Sequence, residues 1–191
     1  MKIIFPNTYY NYIDFKIYEN LGDGPVFYLA GPIPGGELWQ IKACEILKGL
    51  MPTNRFVIVS PCRFPQSETF HYYGVSNNEQ RFADQLEWEQ YYLNLAATKG
   101  CVIFWLPRES DKHPRNDGRP YAMMTRDELG VWREKLRQNP RLHVVMGGEE
   151  GFPGLPELER YNELFLSPYT VQMCRTLEET IREAMMSFHR T

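Results

Sequence analysis

The segment Thr125-Arg-Asp-Glu-Leu-Gly130 sets a carboxylate, Glu128, at the mouth of a helix-period stretch. In the first turn of a helix the macrodipole favours the ionised carboxylate. An ionised, positioned carboxylate can attack an electrophilic sugar carbon, and Gly130 would leave room beside it. The same Thr-x-x-Glu spacing is that of a capping box, in which Glu128 merely bonds the Thr125 backbone N–H. Spacing alone leaves both readings open. A second segment, Arg81-Phe-Ala-Asp-Gln-Leu-Glu-Trp-Glu89, puts Asp84 and Trp88 four apart on one helix face, with Glu89 beside them. A carboxylate near an indole suits a sugar hydroxyl or a base edge next to a stacking surface. The alternative is a solvated acidic face with one core tryptophan.

Two glycine-rich segments could bring backbone close to a ligand. In Tyr28-Leu-Ala-Gly-Pro-Ile-Pro-Gly-Gly36 a strand ends in Ala-Gly-Pro and a helix follows Gly35 and Gly36. Such a loop allows close approach, and the next helix start offers unpaired N–H groups to an anion. It is neither G-x-G-x-x-G nor a P-loop, and a plain Gly/Pro turn is the competing reading. Gly147-Gly-Glu-Glu-Gly-Phe-Pro-Gly154 is a tight loop whose acidic pair would repel phosphate. Trp105 and Trp39 read as lid or core residues, and Tyr121, Met123 and Met124 as loop packing or a base pocket. Arg63, Arg108 and Arg126 permit a substrate phosphate without demanding one.

These residues need a scaffold, and one rhythm supplies it: a short apolar run, a loop, then a helix-period segment. The runs are Val26–Ala30, 56–60, 101–105 and 142–146, with a weaker fifth at 164–166. Continuous apolar runs suit strands covered on both faces. Leu38, Ile41, Cys44 and Leu47 recur at helical spacing, as do Phe82, Leu86, Leu93 and Ala97, then Leu129, Trp132 and Leu136. Cys174, Leu177, Ile181, Met185 and Phe188 form the most regular helix, with Thr176 and Glu179 spaced as a capping box. Strands alternating with helices imply right-handed crossovers and a doubly wound parallel sheet. The expected organisation is an α/β domain over residues 25–191 preceded by an extension, 1–24, that forms an edge strand, a hairpin or an arm. Loops 61–78 and 107–124 follow predicted strands, on the sheet edge where ligands bind in open α/β folds.

Composition narrows the partners. The 191 residues carry a net charge of −3, with 43% hydrophobic and 24% charged residues. That excludes disordered, collagen-like and disulfide-scaffold classes, and it argues against a duplex nucleic-acid or polybasic membrane binder. Cys44, Cys62, Cys101 and Cys174 are too scattered for a metal or redox motif and read as free thiols. The four histidines show no ligand spacing, so no metal is expected. No apolar run reaches membrane-spanning length and residues 1–14 lack a signal-like core, so a cytoplasmic location is expected.

The ordered set YLAGP, WE on the second helix, FWLPR, TRDELG and GGEEGFPG resembles the nucleoside 2-deoxyribosyltransferase-like family, nearer its divergent second branch. The resemblance covers about residues 26–188. It implies a flavodoxin-like sheet of about five parallel strands with helices on both faces, and cleavage of the N-glycosidic bond of a (deoxy)nucleoside or nucleotide. By position Glu128 matches the family's catalytic glutamate and Tyr28 the tyrosine that helps place it, while Gly31 and Pro32 match the loop against the ligand. Asp84, Trp88, Glu89, Trp105 and Arg126 complete the expected substrate-binding set. The implied reaction passes through a glycosyl–enzyme ester resolved by a second base or by water, as in retaining glycosidases. It needs neither a cofactor nor a metal, and its partners are the small molecules and further copies of the chain.

This chain departs from the family pattern in two places. The acid that normally precedes the catalytic glutamate is absent, its positions being Tyr121, Ala122 and Met123, with Asp117 the nearest upstream carboxylate. The helix acid expected about a dozen residues before the aromatic end of the third strand falls on Tyr92, with Glu89 one turn earlier. A nucleotide-binding sensor without turnover is therefore the alternative reading, and an FMN carrier a third.

Overall fold

The computed structural model describes residues 2–4, 24–51, 55–62, 72–73, 82–166, 171 and 173–189. In chain order the elements are β1 (Lys2–Ile4), β2 (Val26–Ala30), α1 (Trp39–Leu50), β3 (Val57–Val59), β4 (Tyr72–Tyr73) and α2 (Phe82–Lys99). Then come β5 (Gly100–Leu106), α3 (Met123–Gln138), β6 (Val144–Gly148), α4 (Leu155–Leu166), β7 (Met173–Cys174) and α5 (Leu177–His189). The strands form one sheet in the order β4-β1-β3-β2-β5-β6-β7, and every neighbouring pair is parallel. Counted from β2, the run β3-β2-β5-β6-β7 is the flavodoxin-like order 2-1-3-4-5. The sheet is wider than the five strands expected, because β1 and the two-residue β4 extend it beyond β3. Of the N-terminal extension, β1 lies inside β4 rather than at the edge, while 5–23 fall outside the described residues.

Strand alternation divides the core in two. Tyr28, Ala30, Val102, Phe104 and Leu106 face α2, α3 and α4, packing on Trp88, Leu93, Leu129 and Trp132. Phe27, Leu29, Cys101, Ile103 and Trp105 face α1 and α5, packing on Ala43, Leu47, Ile181 and Ala184. Both faces of the central strands are therefore covered, which is why those strands are apolar throughout rather than alternating.

The weak fifth strand expected at 164–166 is corrected: these residues close α4, and the strand on that side of the sheet is β7. Leu164 and Phe165 stand 57% and 52% exposed, so their apolar run is a solvent-facing part of a helix whose buried side carries Leu155, Asn162 and Leu166. Cys174, read as helical, belongs to β7. The capping box at α5 forms as its spacing predicts: the Glu179 N–H donates to Thr176 Oγ1 at 3.2 Å and the Thr176 N–H donates to the Glu179 carboxylate at 3.0 Å.

Candidate functional site

At the C-terminal end of β2 the chain must leave the sheet without blocking its edge. Gly31 does this with φ +154°, where a Cβ would run into the Trp105 carbonyl oxygen and the Trp39 ring. Pro32 follows, its carbonyl accepting the Trp39 indole N–H at 3.1 Å. Gly35, at φ +84°, lets loop 107–122 lie against this turn, since a Cβ there would press on the Arg115 nitrogen and the Tyr121 ring. Two bonds pin that loop: the Ser110 N–H donates to the Gly35 carbonyl at 2.7 Å, and the Tyr121 hydroxyl to the Pro107 carbonyl at 2.9 Å.

The loop enters α3 through Ala122, a left-handed residue at φ 56° that occupies the N-cap without a side-chain bond. The helix therefore starts at Met123, ahead of Thr125. Thr125 is not a cap, and the Thr125–Glu128 capping box does not form. Glu128 lies in the second turn, beyond the first-turn positions where the dipole was expected to favour its charge.

What the second turn provides instead is convergence. Glu128 from α3, Glu89 from α2 and Tyr28 from β2 line one cavity of about 200 Å³, together with Gly31, Pro32 and Arg115. Burial raises the Glu128 carboxyl to a pKa of about 7, and the negative charges of Glu89 and Asp127 add to the effect. Tyr28 is only 2% exposed. Burial first, then Glu89 and Glu128, hold its phenol well above its ordinary value, so it is a neutral hydroxyl at any physiological pH. A half-buried carboxyl titrating near neutrality beside a second carboxyl group and a hydroxyl is the equipment of nucleophilic or acid–base chemistry.

The other expected site residues divide. Gly31, Pro32 and Glu89 line the cavity. Asp84 lies in α2, its side chain outside the described residues. Trp88 is corrected to core: it is fully buried behind Tyr28, ring centroids 6.3 Å apart, and packs on Tyr92 at 5.0 Å. Trp105 is corrected as well, because strand alternation turns it to the opposite face of the sheet from Tyr28. Arg126 fastens α3 to the loop before α4, donating to the Pro153 carbonyl with its guanidinium 5.3 Å from the Phe152 ring centroid. Gly130 clears nothing, since a Cβ there would meet no atom within 4 Å. Sequence reasoning passed over Arg115, which sits in a charged loop with no motif to mark it.

A larger cavity of about 850 Å³ opens on the α1/α5 side, lined by Trp39, Trp105 and residues of loop 107–122. Its carboxylates are engaged in holding that loop: Glu37 accepts from Ser110 Oγ at 3.0 Å, and Glu149 from the Arg108 N–H at 3.0 Å. The smaller cavity is the one that brings Glu128, Glu89 and Tyr28 together. Among the described residues no three His, Cys, Asp or Glu side chains could hold a metal ion, and no helix is long and apolar enough to cross a membrane. All four cysteines are free thiols, three of them buried.

No protein-family model matches the chain, and no curated protein matches it either.

Proposed function

We propose that the chain cleaves the N-glycosidic bond of a (deoxy)nucleoside or nucleotide, as its resemblance to the nucleoside 2-deoxyribosyltransferase-like family implies. The observation that carries this reading is the convergence of Glu128, Glu89 and Tyr28 on one small cavity at the carboxyl edge of the sheet. Glu128, once ionised, attacks C1′ from the face opposite the base through an oxocarbenium-like transition state. The sugar ester that results passes to a second base or to water with net retention. Tyr28, a neutral donor, orients the attacking carboxylate by hydrogen bonding, and Glu89 serves the sugar hydroxyls from the adjoining helix. Burial weakens competition from water and strengthens each of these interactions. The chemistry requires no cofactor and no metal. The resemblance adds that the chain works as a homo-oligomer, which sedimentation of the purified protein tests.

The deciding experiment incubates the protein with deoxy- and ribonucleosides and their monophosphates, with and without a second free base, alongside Glu128→Ala. Release of free base, or a new nucleoside when the second base is present, supports the reading and separates hydrolysis from transfer. A nucleotide that binds tightly yet stays intact supports the sensor instead.

A further inference from the structure

Resting on the reading that Glu128 attacks C1′, the cavity still needs a group to receive the departing base. Asp117, the nearest upstream carboxylate, is committed elsewhere: its oxygens accept Arg115 Nε at 2.6 Å and Arg115 Nη2 at 2.8 Å, and the Arg119 N–H at 3.1 Å. These bonds hold it ionised, far below the usual carboxylate range, so it has no proton to give. What it does is fix Arg115 in a bidentate, preoriented geometry.

Arg115 is the one cation among the described residues lining the cavity. Its side chain is 9% exposed and reaches from a backbone packed on Gly35 to the Pro120 carbonyl, which accepts Nη1 at 3.2 Å. It thus spans the rim between the two loop segments that border the cavity, 31–34 and the entry to α3. Of its five N–H donors three are used in these bonds, and two remain for a ligand. Tyr28, 2% exposed, marks the inner end of the cavity, which half-buried Glu128 lines with it. Attack from that end, opposite the leaving group, sends the base outward to the rim, where Arg115 stands. Among the described residues a dianionic phosphate would meet Glu89 and Glu128 with Arg115 as its one cation, and that guanidinium is already ion-paired with Asp117. A singly charged, delocalised base that appears only as the bond breaks suits it better.

We propose that Arg115 is a catalytic residue that receives the base as an anion by hydrogen-bonding a ring carbonyl oxygen, and that the substrates are nucleosides of 6-oxopurines and pyrimidine-2,4-diones. A Glu128 carboxylate oxygen bonds to C1′ as the C1′–N bond breaks. The electron pair of that bond stays on the ring nitrogen and spreads to the carbonyl oxygen facing Arg115. The base takes a proton from water on release, and hydrolysis of the ester returns one, so no net proton is consumed. Adenine has no ring carbonyl and offers this guanidinium ring nitrogens alone, so it gains less.

The test measures kcat/KM above pH 7 for 2′-deoxyinosine, 2′-deoxyuridine, 2′-deoxyadenosine, their 5′-monophosphates and 4-nitrophenyl 2-deoxyriboside, in wild type and Arg115→Gln. The wild type is expected to favour the two oxo nucleosides over deoxyadenosine by about tenfold or more. Arg115→Gln is expected to lose about 100-fold on them, shrinking to a few-fold on the nitrophenyl glycoside, whose leaving anion needs no help. Equal losses on deoxyinosine and the nitrophenyl glycoside overturn the role of Arg115 while leaving Glu128 chemistry intact. A loss confined to 5′-monophosphates also overturns it, making Arg115 a phosphate contact. No turnover of any substrate by the wild type sinks the glycosidic reading itself. If Arg115→Gln does not fold, Asp117→Asn keeps the cation but frees its orientation, and the same leaving-group dependence, at about tenfold, is expected.

Discussion

Glu89 of α2 and Glu128 of α3 face the same cavity, and the charge of Glu89 adds to burial in holding the Glu128 proton up to about pH 7. Burial is the larger cause and the Glu89 charge the next, both disfavouring the ionised form of Glu128. Tyr28 lies within the field of both.

On the proposed reading Glu128 must be ionised to attack C1′, so kcat/KM is expected to rise with pH and level off above about 7. Removing the neighbouring charge with Glu89→Gln should move this limb to lower pH, whatever it does to the plateau. Glu128→Gln should cost about 10³-fold or more in kcat with the fold intact. A pH–rate profile of the three proteins checks this, and an acidic limb unmoved by Glu89→Gln would break the coupling.

The same proton has a consequence for stability. The folded carboxyl binds its proton more tightly than the unfolded one, whose pKa is near 4.5. Below pH 4.5 both states are protonated and nothing is lost. Between 4.5 and about 7 the unfolded chain ionises first, so stability falls as pH rises, and above 7 the loss is constant at about 3 kcal/mol. Glu128→Gln escapes this loss. Urea unfolding should show the variant more stable than wild type at pH 8 by up to that amount, and the two nearly equal at pH 4.

Strand positions were the most legible part of the chain, because β2, β5 and β6 are apolar runs covered on both faces. Site residues were legible where the motif fixed the element: Tyr28 and Gly31 leave β2 in a single way. Glu128 lines the cavity, but its local setting differs from the one its spacing suggests, because Ala122 in a left-handed conformation starts α3 before Thr125 and cancels the cap. Trp105 shows the limit of composition. Its apolar run says strand, but whether it faces Tyr28 or turns away depends on parity, which puts Phe104 on one face and Trp105 on the other. The place of Arg115 at the cavity was not legible, since it is set by Asp117 and Gly35, contacts that only the folded loop makes.

Trp88 offers a direct check on core against site. It is fully buried, and its indole nitrogen has no hydrogen-bond partner among the described residues. A phenylalanine there removes that unmatched donor while keeping a ring behind Tyr28. Trp88→Phe is therefore expected to hold KM within a few-fold, with Trp88→Ala costing about 3–5 kcal/mol in unfolding free energy. A KM raised tenfold in Trp88→Phe at unchanged stability would return the indole to the substrate.

Ala122 tests how the site is aimed. An L-residue held in the left-handed region costs about 1–2 kcal/mol, which glycine avoids at an entropic cost of about 0.5–1 kcal/mol. Ala122→Gly should thus be close to neutral in stability. Ala122→Val is another matter, because a β-branched residue resists this conformation strongly and the chain would relax by re-registering the start of α3. That relaxation carries Glu128 with it. Thermal unfolding together with kcat for both variants separates the possibilities: the valine variant should lose kcat by an order of magnitude or more beyond its loss of stability, while the glycine variant keeps both. Equal activity in the two would mean that the second turn of α3 is held by Thr125, Leu129 and Trp132 alone, independent of how the loop enters it.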